Sequence, residues 1–155
     1  MIQNPVSTVT GMAMEDFVRL YDQDGAFELI DGERIQIVPG VADSYESNAD
    51  LTSWTFKLNP NAKFSDGTPI TADDVKWTWT WFCNPASKSV GSDRIAGTVV
   101  GANAVRDGSA TEIEGIVVVD PQTITFNLTA TDPVFLAKSA SFNTGVLKKD
   151  NVESG

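Results

Sequence analysis

Histidine is absent from the chain, and cysteine occurs once, at position 83. The first absence removes Ser-His-Asp and Cys-His catalysis, and the two together remove any zinc site built from Cys and His. A lone Cys83 cannot close an internal disulfide, and a free cysteine is more often a small buried hydrophobe than a nucleophile. Positive charge is scarce: 11 Lys and Arg stand against 21 Asp and Glu, for a formal net charge of −10. Binding to a phosphate backbone needs clustered cations, so the balance argues against nucleic acid as a partner. No stretch reaches the ~20 apolar residues that span a bilayer, and the first residues lack the charged and hydrophobic regions of a signal peptide. Internal repeats and low-complexity tracts are missing as well.

What remains is an ordinary globular balance, 41% apolar and 21% charged over 155 residues, enough for one domain with its own core. A single domain across 1–155 is expected, its core between about 34 and 148. The most legible stretch is Leu51 to Phe82. Trp54, Phe56 and Leu58 alternate with Thr55 and Lys57, the period of a strand with one face buried. Asn59-Pro60-Asn61 cannot continue a central ladder, and Ser65-Asp66-Gly67-Thr68-Pro69 is turn chemistry, so two turns bracket Ala62 to Phe64.

Thr71 precedes Ala72, Asp73 and Asp74, where its hydroxyl can accept a backbone N–H while the carboxylates face the positive end of a helix dipole. A helix is predicted from Ala72, opened by a capping box with Asp74 in place of the usual Glu or Gln. Proline at 85 ends it after Cys83-Asn84. At roughly 100° per residue, Val75, Thr78, Trp79 and Phe82 share one side, with Trp77 and Trp81 nearly opposite. Trp54, Phe56, Leu58, Phe64, Val75, Trp79 and Phe82 are therefore expected to be buried together, with Thr71 and Asp74 as structural cap residues.

Elsewhere the signals are shorter. Met12, Phe17 and Leu20 with Met14, Val18 and Tyr21 predict an amphipathic helix near Gly11 to Tyr21. Asp22-Gln23-Asp24-Gly25 and Asp31-Gly32 read as hairpin turns flanking Phe27 to Ile30 and Arg34 to Val38. A calcium loop is rejected there, because an EF-hand spacing would require Leu20 as its first ligand. Pro85 to Arg94 reads as an exposed loop, and Ile95 to Arg106 has helical spacing weakened by Gly97 and Gly101. Ile113 to Val119 is continuous enough to be a strand buried on both faces; Asp120-Pro121-Gln122 turns into a second strand with Ile124, Phe126 and Leu128 on one side. Asp132-Pro133 opens a last helix to about Ala140, and Val146-Leu147 suggests a terminal strand before a polar tail. The elements add up to an α+β fold, a mostly antiparallel sheet with packed helices.

The run from Trp54 to Trp79 resembles the signature segment of the extracytoplasmic solute-binding proteins of the oligopeptide, dipeptide and nickel type, solute-binding protein family 5, which serve ABC importers. That pattern is a strand ending in "tFkL", a "kFsDGtp" turn and "TAeDV" opening a helix. This chain matches at Thr55, Phe56, Lys57, Leu58, Lys63, Phe64, Ser65, Asp66, Gly67, Thr68, Pro69, Thr71, Ala72, Asp74 and Val75. Val38 to Tyr45 before this run, and Ile113 to Asp120 with Thr123 to Leu128 after it, are similar to the family in the same order. The resemblance implies an amino-terminal fragment of a longer protein and the accessory-domain portion of a periplasmic-binding-protein-like fold. It further implies a peptide or other small solute as ligand, an ABC permease as partner, and no cofactor, metal or enzymatic activity. The location it implies is the periplasm or a cell-surface lipoprotein, with any signal peptide removed.

Trp77 and Trp81 are the ligand-binding candidates within the chain, since paired aromatics form stacking platforms in many sites. Against that stands packing, either in the core or against a neighbour, and an uncovered second face would invite self-association of the isolated chain. Asp73 and Asp74 read as helix-start charges, because nothing pairs them with a nucleophile. The alternatives are a carbohydrate- or metal-chelate-binding member of the same family and a stand-alone interaction module with an exposed aromatic patch. A glycosidase is a distant third.

Overall fold

A computed structural model describes residues 27–30, 33–36, 40–89, 92–140 and 145–153. The chain divides into two compact units, 1–39 and 40–155. In the first, Phe27–Ile30 (β1) and Glu33–Gln36 (β2) pair antiparallel with Ile30 opposite Glu33. The strand pairing expected on either side of Asp31-Gly32 is there, with the second strand beginning one residue early, at Glu33; 31–32 and 37–39 lie outside the described residues. The helix predicted at Gly11 to Tyr21 and the turn at Asp22 to Gly25 lie outside the described residues.

The second unit is built on a four-stranded antiparallel sheet of Ala42–Ser47 (β3), Ser53–Leu58 (β4), Ile116–Asp120 (β5) and Thr123–Asn127 (β6), in the order β3-β4-β6-β5. The two central strands carry the strongest alternation in the sequence. Ser53 lies opposite Asn127, 74 positions away, and Phe56 opposite Ile124. Inner-face residues Trp54, Phe56, Leu58, Ile124, Phe126 and Leu128 are all buried.

Over this face lies helix α1, Ala72–Cys83, with Val75, Trp79 and Cys83 buried beneath it. Trp79 meets Phe126 at 4.7 Å between ring centroids, and Phe135, only 1% exposed, is ringed by Trp54, Phe56, Trp79 and Phe126 at 5.6 to 6.5 Å. Burying such a ring contributes about 1.5–3 kcal/mol by area alone. Five of the seven predicted core residues are buried here. Phe82 is partly buried and packs on the cluster, whereas Phe64 is only half-buried and outside it. The reason is local: Phe64 belongs to a small loop closed by the Lys63–Pro69 bridge, where its N–H donates to Thr68 O at 2.9 Å.

Other departures trace to backbone features. Instead of one helix over Ile95 to Arg106 there are two short ones, Ser92–Ala96 (α2) and Ala102–Arg106 (α3). Gly101 separates them at φ +79°, a conformation glycine adopts without penalty. The loop expected from Pro85 to Arg94 holds a 3-10 turn at Pro85–Ser87, capped by Asn84, before α2 begins. Strand β5 starts at Ile116, and it is not buried on both faces: Val117 is 44% and Val119 61% exposed. Val117 lies opposite Thr125 on the outer face of the sheet, the side away from α1, and the alternation puts Val119 on that side too. The last predicted helix begins later than its Asp-Pro signal, at Phe135–Ser139 (α4), because Asp132 Oδ1 first takes the Val134 N–H at 3.1 Å in a turn. Val146-Leu147 forms no strand. The Leu147 N–H is taken by Thr78 Oγ1 at 2.9 Å, and the tail continues as helix Lys149–Glu153 (α5).

Candidate functional site

Three groupings of polar or aromatic side chains present themselves on this scaffold. The first is the start of α1. Thr71 Oγ1 accepts the Asp74 N–H at 3.4 Å, while Asp74 Oδ2 accepts the Thr71 N–H at 2.8 Å and the Thr71 hydroxyl at 2.7 Å. Both residues are committed to the capping box, as the sequence predicts. Asp73 is exposed beside it at the helix start. This is a helix start satisfied by its own side chains rather than a poised acid–base pair.

Beside it, Asp66 accepts the Thr68 N–H at 2.9 Å and the Thr68 hydroxyl at 2.6 Å, and it pairs with Lys148. The Lys148 hydrogen bond, followed by those of Thr68, holds the Asp66 carboxyl well below the usual carboxylate range. Lys148 is raised in turn, first by that same bond. With the Thr78–Leu147 contact, this ion pair fastens residues 147–148 to the turn at Asp66-Gly67 and to the middle of α1.

The second grouping is the tryptophan pair. Trp77 and Trp81 stand four residues apart on the outer side of α1, one turn from each other. Their rings are stacked, 5.9 Å between centroids and 5° from parallel. Both are half-buried, and among the described residues neither indole N–H makes a hydrogen bond. Trp54 differs, with its N–H directed at Leu51 O at 3.4 Å.

The third grouping is the outer face of the sheet, which sequence reading did not single out. Ser53 Oγ donates to Asn127 Oδ1 at 3.1 Å, Thr55 and Thr125 share a hydroxyl bond at 2.9 Å, and Lys57 Nζ donates to Thr123 Oγ1 at 2.9 Å. The signal was in plain view, because the polar positions of both central strands are almost all Ser, Thr and Asn. Their pairing could not be read without the register. The ladder satisfies itself across β4 and β6, with a shallow hollow beside it lined by Ser44, Tyr45, Glu46, Thr55 and Lys57.

Cys83 is buried, and burial pushes its thiol up to about 11, which suppresses the thiolate that nucleophilic chemistry needs. Among the described residues no group of three or more His, Cys, Asp or Glu side chains is placed to hold a metal, and no helix is long and apolar enough to cross a membrane.

The antiparallel sheet, the capped helix across it and the turn at Asp66-Gly67 define a piece of a solute-binding protein fold. Residues 36–155 match the bacterial extracellular solute-binding proteins, family 5 (middle), and the chain belongs to that family. It is 40% identical over 126 residues to the periplasmic murein peptide-binding protein MppA of Escherichia coli, covering 79% of this chain and 23% of that protein. Against the periplasmic oligopeptide-binding protein OppA of Escherichia coli it is 31% identical over 117 residues, 74% of this chain and 21% of the relative. The solved structure of the Escherichia coli murein tripeptide-binding protein MppA superposes with a TM-score of 0.69 at 39% identity, over 80% of this chain and 24% of that one. Haemophilus influenzae OppA in complex with the peptide RPPGFSPFR superposes at 0.67 and 27% identity, over 77% and 24%. The chain thus spans less than a quarter of the length of these relatives.

Proposed function

We propose that the chain is the amino-terminal part of a longer, non-enzymatic solute-binding protein that captures a peptide outside the cytoplasmic membrane and hands it to an ABC permease. The observation that carries this reading is the family match over 36–155, with a murein peptide-binding protein among its relatives. The groups described above favour a supporting rather than a ligand-holding part. Asp74 and Thr71 are spent on a cap, Asp66 on a turn and an ion pair, and the outer ladder on itself. A peptide enclosed between lobes gains affinity from burial on both sides, and a single part of such a cleft loses most of it. Residues 1–155 then act as one piece of the longer protein, beside the lobes that close on the ligand.

Titration calorimetry with mixed di- to pentapeptides tests this. The 155-residue chain should give no saturable heat, while the longer protein binds. Micromolar binding by the chain alone would place the peptide site within it, with Trp77 and Trp81 the first residues to substitute.

A further inference from the structure

The core is complete without Trp77 and Trp81, yet the helix spends two large aromatic residues on its far side. We propose that the Trp77–Trp81 face of α1 is the docking surface for the polypeptide that follows Gly155, a contact between parts of one protein rather than a ligand platform. The proposal rests on the reading that this chain is part of a longer one.

Several observations converge on that occupant. The indoles are already stacked 5° from parallel, so they form one apolar wall of two mutually supported rings, whose ordering cost is met before anything docks. Their N–H groups are without partners among the described residues, which leaves two donors for acceptors on the incoming surface. The wall stands on one convex helix, whereas small-ligand sites are concave. Chain geometry supplies the nearest candidate. Leu147 is fastened to Thr78, one turn of helix from Trp81, and α5 lies against α1. Polypeptide continuing beyond α5 therefore starts from a helix held on α1 itself, at the high effective concentration of a short tether. Relatives hold more than three-quarters of their length outside the region matched here, ample material to cover the wall. A second copy is the poorer occupant, because each chain carries a formal charge of −10 and like charges repel.

The test uses 5-fluorotryptophan in the 155-residue chain and in the longer polypeptide, with the two fluorine resonances assigned by Trp77→Phe and Trp81→Phe. In the chain, both resonances should move between H2O and D2O, the mark of water contact. In the peptide-free longer protein that isotope shift should be lost. The Trp77→Ser/Trp81→Ser double variant should lower the urea midpoint of the longer protein by clearly more than that of the chain. Retention of the shift in the longer protein overturns the docking proposal, and so does its loss only after peptide is added, which would make the pair a ligand platform. Loss of the shift in the chain alone as its concentration rises also overturns it, in favour of a second copy. Intact mass separates the two readings. A gene product ending at Gly155 sinks the longer-protein reading and docking with it, whereas a longer product with water-exposed indoles sinks docking alone.

Discussion

The Asp74 carboxylate accepts both the backbone N–H and the hydroxyl of Thr71, at 2.8 and 2.7 Å, while the Thr71 oxygen accepts the Asp74 N–H in return. Three bonds between two residues close the first turn of α1. Thr71→Ala removes the hydroxyl and frees the Asp74 N–H, and should cost about 0.5–2 kcal/mol in urea unfolding. Peptide affinity of the longer protein should stay the same. A fall in affinity at unchanged stability would move this turn into the binding site.

Trp79 and Trp77 are two residues apart and should behave as opposites. Trp79 is buried against Phe126 and Phe135, and its truncation to alanine should cost about 3–5 kcal/mol. Trp77→Ala in the 155-residue chain should cost well under half of that, since its ring lies outside the core cluster and stacks on another half-buried ring. Equal urea midpoints for the two variants would mean that the helix is turned the other way.

The Asp66–Lys148 pair gives a pH signature with a definite sign. Asp66 is depressed, so its contribution is fully present above the ordinary aspartate value near 3.9 and is lost as pH falls through its lower folded value. Lys148 is raised, so its share is complete below about 10.4 and is lost as pH rises through the higher folded value. Both groups are at the surface, and the effect should be small and weakened by salt. Carboxyl NMR should show Asp66 still ionised well below pH ~3.9, and in Lys148→Met it should titrate closer to that value. An Asp66 already titrating there in the parent would show that the pair does not form in solution.

Gly115 is required by packing alone, whereas Gly101 combines φ +79° with Glu114 at 3.0 Å from where a Cβ would sit. A Cβ at 115 would lie 2.7 Å from both Asn127 O and Val100 O. The same three residues are tied by Gly115 N–H to Val100 O and Asn127 N–H to Gly115 O, each at 2.8 Å. With backbone on both sides there is no flexible side chain to yield, and Gly115→Ala should cost about 1–3 kcal/mol. Thermal unfolding of that variant at the parent's midpoint would show that β5 and β6 can part at no cost.

Cys83 should be silent toward thiol reagents in the folded chain. Its burial and raised thiol predict slow reaction at pH 8 that becomes fast in urea. Fast native labelling would mean that the end of α1 opens.

What could be read from the sequence was what neighbouring residues decide together. The β4 alternation, the turn at Asp66-Gly67 and the Thr71 cap are contained within a few residues each, and they stand where the pattern puts them. What escaped were features fixed by distant partners. Val117 and Val119 look like core until the β5–β6 register puts them on the outer face of the sheet, and Leu147 looks like a strand residue until Thr78 claims its N–H. Phe64 failed for a related reason: an apolar ring in a bridged loop has no strand or helix to carry it inward. The tryptophan pair was legible as two aromatic positions on one helix face, but their stacking was not, because spacing sets neighbourhood and not ring angle.

The pairing of Ser53 with Asn127 has a consequence for the order of events as the chain is made. When the last residue of α1 has just been added, the strand that flanks β4 on its second side is still about forty residues from being synthesised, at the ordinary pace of several residues per second. Until then β4 has one open edge, and the aromatic faces of β4 and α1 have no Phe126 or Phe135 to close on. Closing so long a loop must come before any of those contacts repays it. The second unit therefore matures in one late step, and a nascent chain interrupted before Thr123 exposes its most apolar surface to whatever meets it first.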